Sequence, residues 1–421
     1  MRILVLGSGG REHALVWKIK QSARVKKIYC IPGNAGIAEE AECHSIPLSD
    51  FNSISDFISR HQVDLTVVGP EQPLVAGIVD YLKGRGHSVF GPGKAAARLE
   101  GSKIFSKNFM QKYHIPTASY ADFREFDKAV AWVNSLPDGP LVIKADGLAA
   151  GKGSIICQNR EEARAALTRM MVEKQFADAG RGVVIEEFME GEEASLFVIT
   201  DGSDYILLPA AQDYKRAMDK DMGKNTGGMG SYAPTPFLTG ELKEKAVKEI
   251  VEPVLAGLVF EGIHYEGVLY CGLMLTGAGP KVVEFNCRFG DPETQVVLPL
   301  LETDLVEILQ SATTKNIGDV HPEFKKGAAV CVVAASGGYP EAYQKDKEIS
   351  GLDEYSDEVM VFHAGTRSEA GKFYTAGGRV LGVTATGPDI RSAAEKAYRR
   401  ISGIQFEGMQ YRKDISTKAW E

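Results

Sequence analysis

Short apolar runs alternate with amphipathic stretches over the first hundred residues of the chain. The apolar runs predict β-strands at residues 3–6, 27–31, 65–68 and 88–90. The amphipathic stretches predict helices between them, near 11–21, 53–60 and 74–83. This alternation is typical of a parallel sheet with helices on both faces, so it indicates an N-terminal α/β domain.

Beyond residue 101 the pattern changes three times. One unit has predicted strands at 141–145 and 183–186 and a helix over 161–174. The next has strands at 196–200 and 205–208, a helix over 240–259 and a hairpin of 269–276 with 282–286. The tail has strands at 328–334 and 378–384 and an amphipathic helix over 389–402. We therefore predict a multidomain α/β and α+β protein with domains 1–101, 102–192, 193–326 and 327–421, the last a small mixed α/β domain.

Composition narrows the class of protein. A hydrophobic fraction of 44% and a charged fraction of 25% over 421 residues are ordinary for a soluble globular protein. The net charge of −8 argues against a nucleic-acid partner, because no surplus of cations is present to neutralise phosphates. No signal peptide or membrane-spanning run is visible, and the six cysteines lack C-x-x-C spacing. We expect a cytoplasmic protein with reduced cysteines and no membrane partner.

The segment 280–295, P-K-V-V-E-F-N-C-R-F-G-D-P-E-T-Q, concentrates chemically useful side chains on and after a predicted strand. Side chains alternate along a strand, so Glu284 and Asn286 share one face while Val283 and Phe285 take the other. Two oxygen donors side by side on a rigid strand suit Mg²⁺. Arg288 follows at once, and its guanidinium suits a phosphate or carboxylate. An isolated E-x-N pattern also fits a solvated strand face, but the continuation R-F-G-D-P-E-T-Q favours a functional site.

Two glycine-rich segments have the composition of anion-binding loops. Residues 7–12 (G-S-G-G-R-E) join a strand to a helix, whose first N–H groups bind anions. They are not a dinucleotide-binding fingerprint, because Glu12 occupies the third glycine position and the second strand does not end in an acidic residue. A purely structural tight turn is the alternative to an anion-binding loop. Residues 147–153 (G-L-A-A-G-K-G) have one residue too few for a Walker A loop and no Ser or Thr after the lysine. We expect a flexible loop whose N–H groups close over phosphates.

A polar loop of about 25 residues contains Q-D-Y-K-R (212–216) and N-T-G-G-M-G (225–230). Long loops inside compact domains are usually functional or disordered. This loop mixes cations, an acid and glycines, so we predict that it closes on an anionic substrate. A mobile surface loop is the alternative.

Together these segments carry a family resemblance. The chain resembles the phosphoribosylamine–glycine ligases, the glycinamide ribonucleotide synthetase family of the ATP-grasp superfamily. The matching segments are V-L-G-S-G-G-R-E-H-A (5–14), P-G-N-A-G (32–36), G-P-E-Q-P-L (69–74), V-I-K-A-D-G-L-A-A-G-K-G (142–153), Q-D-Y-K-R (212–216), N-T-G-G-M-G (225–230) and E-F-N-C-R-F-G-D-P-E-T-Q (284–295). The resemblance implies an N-terminal substrate-binding domain, an ATP-grasp core of two α+β lobes and the C-terminal domain. It also implies a mobile glycine-rich lid within about 122–192.

The resemblance implies a reaction as well. ATP, glycine and 5-phospho-β-D-ribosylamine would give ADP, phosphate and glycinamide ribonucleotide through glycyl phosphate, a step of purine biosynthesis. Mg²⁺ or Mn²⁺ would be required. The partners would be these small molecules, with a transient hand-over from the enzyme that supplies phosphoribosylamine.

Residue by residue, the resemblance assigns three groups. ATP would be held by Lys103, Lys144, Gly151, Lys152, Gly153, Glu186, Glu187, Met189 and Glu193, and the metal by Glu284 and Asn286. Substrates would be bound by Gly9, Gly10, Arg11, Glu12, Asn34, Gly36, Glu71, Asp213, Lys215, Arg216, Asn225, Thr226, Gly227, Arg288, Asp291, Pro292 and Glu293. The catalytic residues would be Arg288, Asp213 and Lys144.

Other functions stay open from the sequence. One is another ATP-grasp carboxylate–amine ligase or a carboxylase, and the others are a nucleotide-binding oxidoreductase and a non-catalytic ATP-binding module. The chain also departs from many ATP-grasp enzymes, because the strand at 269–276 carries no acidic residue. We therefore expect fewer protein ligands for a second metal ion.

Overall fold

The N-terminal unit is a parallel sheet with helices on both faces, as the alternating pattern predicts. The computed structural model of the chain describes residues 1–149, 153–176, 180, 182–354, 356 and 358–420. Strands β1 (Arg2–Gly7), β2 (Lys27–Pro32), β3 (Glu42–Cys43), β4 (Leu65–Val68) and β5 (Val89–Phe90) lie in the order β3-β2-β1-β4-β5. The helices are α1 (Gly10–Lys20), α2 (Ile37–Glu40), α3 (Phe51–His61), α4 (Glu71–Ala76), α5 (Ile78–Lys83) and α6 (Lys94–Gly101). The helix predicted over 74–83 is divided, because Gly77 takes a left-handed conformation with φ of 98°.

The next unit is an antiparallel sheet flanked by helices. It comprises α7 (Lys103–Lys112), β6 (Tyr120–Phe123), α8 (Phe126–Ser135), β7 (Leu141–Ala145), β8 (Ser154–Cys157), α9 (Arg160–Leu167) and β9 (Val183–Glu187). The strands lie in the order β6-β9-β7-β8. Ser102 caps α7 by accepting from the Phe105 amide at 3.1 Å, which fixes the helix start next to Lys103.

A second antiparallel sheet faces the first and carries the predicted hairpin. In chain order the elements are β10 (Glu192–Thr200), β11 (Tyr205–Leu207), β12 (Gln212–Asp213), β13 (Arg216–Met218), β14 (Met222–Asn225), β15 (Gly230–Ala233), α10 (Gly240–Ala246), α11 (Glu252–Phe260), β16 (Gly267–Thr276) and β17 (Gly279–Asn286). The sheet order is β11-β10-β16-β17. A wide helical turn at Val247–Val251 separates α10 from α11, where Pro253 lacks the N–H that would continue a regular helix.

The polar loop around 209–239 is more ordered than its composition suggests. Strands β13 and β14 pair with each other, and β12 pairs with β15. The expectation of a long unstructured loop is therefore wrong for this segment.

Some of the C-terminal strands extend the sheet that contains β12 and β15, whereas others form a small antiparallel sheet of their own. The C-terminal elements are α12 (Thr294–Val297), α13 (Leu305–Thr313), β18 (Ala328–Ala335), β19 (Glu348–Ile349), β20 (Val359–His363), β21 (Thr366–Glu369), β22 (Lys372–Thr375), β23 (Arg379–Gly387) and α14 (Ile390–Ser402). Strand β15 pairs with β18, giving the order β12-β15-β18-β23-β20. The sheet thus joins strands on both sides of the boundary predicted at residue 327.

The main core lies where three sheets meet. Residues of α12 and α13, such as Val296 and Leu309, pack against β1, β10 and β18. This common core joins the N-terminal sheet, the sheet that contains β10 and β16, and the C-terminal sheet. Within the described residues, every helix is too short or too polar to cross a lipid bilayer.

A β-bulge alters the faces of β17. Gly272 pairs with Glu284 while Leu273 pairs with Val282, so Val283 is an extra residue. Val282 and Phe285 are both fully buried, whereas Val283 is only partly buried. The prediction that Val283 packs in the core beside Phe285 is therefore wrong, because the bulge moves Val282 into that position. Glu284 and Asn286 still share a face.

Candidate active site

A cavity of about 800 Å³ lies between the two antiparallel sheets and reaches the N-terminal and C-terminal units. It brings together most of the predicted site residues: Arg11, Glu71, Lys103, Lys144, Gly153, Glu186, Glu187, Met189, Glu193, Asp213, Lys215, Arg216, Asn225, Thr226, Gly227, Glu284, Asn286, Arg288, Asp291 and Glu293. The lining does not include Gly9, Gly10, Glu12, Asn34, Gly36 or Pro292. Gly151 and Lys152 lie outside the described residues.

Lysines surround the Glu284 carboxylate at the floor of the cavity. Lys103 Nζ lies 2.9 Å from Glu284 Oε2. Burial alone would raise the pKa of Glu284, but Lys103, Lys144 and Lys215 outweigh it and hold the pKa far below its usual range. Glu284 is therefore a fixed negative charge.

Glu284 and Asn286 both line the cavity and form a candidate pair of metal ligands. Within the described parts of the chain, no three carboxylate, imidazole or thiol groups cluster as a metal cage. Mg²⁺ commonly uses one or two carboxylates and completes its shell with water and phosphate oxygens. An ionised carboxylate beside an amide oxygen on the cavity side of β17 fits that arrangement, provided that a phosphate ligand supplies the rest.

Lys144 connects the two sheets across the cavity. Its Nζ lies 3.0 Å from Glu186 Oε1 and donates to the Val283 carbonyl at 2.8 Å. Lys107 also pairs with Glu186, at 3.1 Å, and burial lowers the pKa of Lys107 to about 8. The Glu186 side chain is thus committed to two lysines, and Lys144 is held with its ammonium group beside Glu284.

The opposite wall carries a carboxylate with an altered proton affinity. Burial raises the pKa of Asp213 to about 7, with Glu293 and Glu193 adding to the effect and Lys215 opposing it. Lys215 Nζ lies 3.1 Å from Asp213 and 2.6 Å from Glu193. A carboxylate with this pKa can accept or release a proton near neutral pH.

Arg288 joins the N-terminal unit to the end of β17. Its Nε lies 3.3 Å from Glu71 and its Nη2 lies 3.0 Å from the buried Glu100. Its Nη1 donates to the Phe289 carbonyl at 3.1 Å. The planar guanidinium therefore fixes α4, α6 and the segment after β17 in one arrangement.

The loops of the N-terminal unit are tied to one another and to β20. Glu12 accepts from the Gly9 amide at 2.6 Å and from Arg11 Nε at 2.6 Å. The Asn34 amide donates to the Ser8 carbonyl at 2.9 Å and to the His363 carbonyl at 2.8 Å. The polar atoms of Glu12 and Asn34 thus hold loop backbone, and both backbone groups of Gly9 are engaged within the protein, its amide by Glu12 and its carbonyl by the His13 amide.

Sequence reasoning missed several residues of the cavity. Arg379, at the start of β23, lies 2.9 Å from Asp291 Oδ2 and also donates to the Gly227 carbonyl at 2.6 Å. Tyr270 donates to the buried Glu293 at 3.0 Å. Glu100 forms an ion pair with the Arg288 guanidinium at 3.0 Å. Their roles depend on contacts between residues far apart in the chain, for which the local sequence holds no signal.

Comparisons with known proteins cover nearly the whole chain. Residues 1–100 match the phosphoribosylglycinamide synthetase N domain, residues 101–294 the ATP-grasp (A) domain and residues 329–418 the C domain of the same family. A phosphoribosylamine–glycine ligase of Caldanaerobacter subterraneus subsp. tengcongensis is 48% identical over 416 residues, covering 99% of both chains.

Two solved structures are similar to this protein over nearly the whole chain. A phosphoribosylamine–glycine ligase from Thermotoga maritima superposes with a TM-score of 0.86 at 36% identity, over 99% of this chain and 100% of that one. The biotin carboxylase domain of Hydrogenobacter thermophilus 2-oxoglutarate carboxylase has a TM-score of 0.74 at 16% identity, over 97% and 91% of the two chains. The second likeness shows a common fold only.

Proposed function

The chain belongs to the phosphoribosylglycinamide synthetase family, and we propose that it joins glycine to 5-phospho-β-D-ribosylamine with ATP, as a carbon–nitrogen ligase of purine biosynthesis. The observation that carries the proposal is the match of all three family domains in order along the chain. The products are glycinamide ribonucleotide, ADP and phosphate.

Activation of glycine explains the need for ATP. A carboxylate is a poor acyl donor, since its oxygen is a poor leaving group. Transfer of the γ-phosphoryl group to glycine gives glycyl phosphate, and the ribosylamine nitrogen then attacks the acyl carbon and displaces phosphate. No protein nucleophile is required, so catalysis rests on positioning and charge stabilisation.

The residues of the cavity divide between the substrates. The cations Lys103 and Lys144 neutralise the phosphate charge of ATP. The segment Glu186–Met189, which includes Glu187, binds adenine, and Glu193 binds the ribose of ATP. The backbone of Gly153 contributes to the loop over the triphosphate. Mg²⁺ or Mn²⁺ held by Glu284 and Asn286 would polarise the phosphoryl oxygens as a Lewis acid.

The other substrates lie towards the N-terminal unit. The loops with Gly9, Gly10, Arg11, Glu12, Asn34, Gly36 and Glu71 bind phosphoribosylamine. Arg288 and the segment Asp291, Pro292 and Glu293 hold glycine and the acyl phosphate. Lys215, Arg216, Asn225, Thr226 and Gly227 cover the anionic groups. Asp213 accepts the proton that the amine nitrogen loses, which its pKa of about 7 permits.

The setting of the enzyme follows from its chemistry and composition. We place it in the cytoplasm, with six free thiols and small-molecule substrates, and without a nucleic-acid partner. Phosphoribosylamine is received by transient hand-over from the enzyme that makes it.

The decisive test is the dependence of ADP release on the acid and the amine. We expect ADP release to require glycine and full turnover to require phosphoribosylamine, measured with a coupled assay for ADP. A matched series replaces glycine by alanine, acetate or bicarbonate at equal concentration. Equal ADP release with bicarbonate would reject the ligase and favour a carboxylase, the activity named for the structural relative with 16% identity. ATP binding without turnover for any acid would leave a binding module.

Arg288→Lys tests the arginine between the N-terminal unit and β17. A lysine keeps the charge but reaches only one of Glu71, Glu100 and the Phe289 carbonyl. We expect kcat/KM to fall about 10- to 100-fold and the melting temperature to fall, because the buried Glu100 loses its fixed partner. Steady-state kinetics with each substrate varied and a thermal melt measure both effects.

The control is Arg24→Lys, whose guanidinium pairs with Glu307 at 3.5 Å on the surface, where both side chains are about half exposed. It should match the wild-type enzyme in both measurements. Wild-type kinetics for Arg288→Lys with all three substrates would remove Arg288 from the catalytic residues.

A further inference from the structure

Two cysteines face each other directly beneath the N-terminal loops. Strands β2 and β3 are parallel, and Cys30 pairs with Cys43 in register. Side chains at register positions of neighbouring strands point to the same face, and such strands lie about 4.7–4.9 Å apart. That spacing is within the Cα separation that a disulfide spans, roughly 4.4–6.8 Å.

Gly33 shows that the two side chains converge. A Cβ atom built on Gly33 would lie 2.3 Å from Cys43 Sγ and 3.6 Å from Cys30 Cβ. Gly33 has a φ of 77°, so the chain turns tightly over both side chains. The Cys43 sulfur therefore occupies the space that a side chain at position 33 would need, next to Cys30.

The two thiols differ in access and acidity. Cys30 is fully buried, whereas Cys43 is half-buried at the edge strand. The neighbouring Cys30 lowers the pKa of the Cys43 thiol, whereas the neighbouring Cys43 and burial raise the pKa of the Cys30 thiol. Cys43 is thus the more reactive sulfur, and Cys30 is placed to react with it next.

The same atoms support the loops assigned to phosphoribosylamine. The Gly7 carbonyl accepts from Cys30 Sγ at 3.4 Å and from the Gly33 amide at 3.0 Å. Gly7 begins the loop 7–12, and Gly33 lies in the loop 32–36. A change at either sulfur therefore reaches both loops without touching the cavity floor.

We propose that Cys30 and Cys43 form a reversible thiol-oxidation site that weakens binding of the ribose phosphate at the N-terminal loops. The part of the proposal that concerns binding rests on the proposed function, because it takes those loops as the phosphoribosylamine site.

The chemistry uses a hydroperoxide as oxidant. The Cys43 thiolate attacks one oxygen, the O–O bond breaks, and the hydroperoxide leaves as an alcohol or water, which gives a sulfenic acid on Cys43. The Cys30 thiol then attacks that sulfur, the S–S bond forms and water leaves with the thiol proton. Two thiols and one hydroperoxide thus give one disulfide, one alcohol (or water) and one further water. A dithiol reverses the reaction.

Oxidation changes the support of both loops. Once bonded to Cys43, Cys30 Sγ can no longer donate to the Gly7 carbonyl. The Cys43 sulfur moves from beneath Gly33 towards Cys30, so the packing that holds the 32–36 turn is lost.

The test separates the chemistry from its consequence. The intact protein is treated with hydrogen peroxide, alkylated and digested, and mass spectrometry identifies linked peptides. We expect two of the six thiols to disappear and a single cross-link between Cys30 and Cys43. Affinity for ribose 5-phosphate, measured by calorimetry, should fall by roughly tenfold or more and return after dithiothreitol. Affinity for ATP should not change.

Three variants sharpen the result. Cys43→Ser and Cys30→Ser should form no cross-link, and their affinity for ribose 5-phosphate should not change in peroxide. The control Cys157→Ser, on β8 in the sheet β6-β9-β7-β8, should respond to peroxide as the wild type does. Absence of the cross-link in the wild-type protein overturns the site even if ADP release requires glycine. A cross-link without any change in ribose 5-phosphate affinity overturns the effect on binding. Loss of the glycine requirement bears on the proposed function alone.

Discussion

Replacing Glu284 by glutamine is expected to lower ATP-dependent turnover by about 100-fold or more, equivalent to about 3 kcal/mol of transition-state stabilisation. The amide keeps the shape of the side chain but removes the negative charge that a hard cation needs. The residual activity should require much more Mg²⁺ than the wild-type enzyme, as a titration of turnover against Mg²⁺ would show. The matched control, Glu307→Gln on the surface beside Arg24, should keep both turnover and Mg²⁺ dependence. Normal turnover of Glu284→Gln at low Mg²⁺ would place the metal elsewhere.

Glu284→Gln should also change how stability depends on pH. The pKa of Glu284 lies below its ordinary value of 4.5 in the folded protein, because Lys103, Lys144 and Lys215 outweigh the effect of burial. A depressed carboxyl pKa contributes stability above the unfolded pKa, and this contribution is lost as the pH falls towards the folded value. Above about pH 5 the variant should therefore melt below the wild type, and the difference should shrink as the solution is acidified. If the variant and the wild type melted at the same temperature as each other, both at pH 7 and at pH 4, the arrangement of lysines around Glu284 would be contradicted.

Phe285→Ala is expected to cost about 3–5 kcal/mol of the free energy of unfolding, the range for a fully buried phenylalanine. Phe285 is 0% exposed and packs with Val282, Leu273 and the helices α10 and α11. Urea unfolding followed by far-UV circular dichroism measures the loss. The effect on turnover should be smaller than that of Glu284→Gln when both are assayed well below the melting temperature.

Two neighbouring valines provide the matched comparison. In the bulged strand, Val282 is buried and Val283 is partly exposed to the cavity, so Val282→Ala should cost about 2 kcal/mol and Val283→Ala clearly less. Val283→Ala also keeps the backbone carbonyl that accepts a hydrogen bond from Lys144 Nζ. A larger loss of stability for Val283→Ala than for Val282→Ala would mean that side chains alternate regularly along this strand, and it would contradict the bulge.

Much of the architecture can be predicted from local pattern. The strands β1, β2 and β4 and the helix α14 follow from apolar runs and from a clear period of 3.6 residues, since each buries one continuous face. The hairpin β16–β17 follows from a glycine turn between apolar segments. Glu284 and Asn286 share a face in the structure as the alternation predicts, because both lie beyond the extra residue at Val283.

Other features depend on contacts that local pattern does not encode. The bulge at Val283 arises from pairing with β16, and the division of the helix at 74–83 depends on the left-handed turn at Gly77. The charge of the site is a further example. From the sequence, the segment 284–293 is a cluster of acids, in which loss of one carboxylate would barely change stability or even raise it. In the structure, three lysines from distant segments surround Glu284 and reverse that expectation.

The sheet that runs from β12 to β20 limits how this protein can be divided or recombined. Strand β15 lies between β12, at the edge of the sheet, and β18, which comes from the C-terminal unit. A fragment ending at residue 326 would leave one edge of β15 unpaired, and an open strand edge promotes association between molecules. The fragment would also lack Arg379, which orients Asp291. Chimaeric proteins made from members of this family should therefore exchange the C-terminal unit and residues 209–239 together.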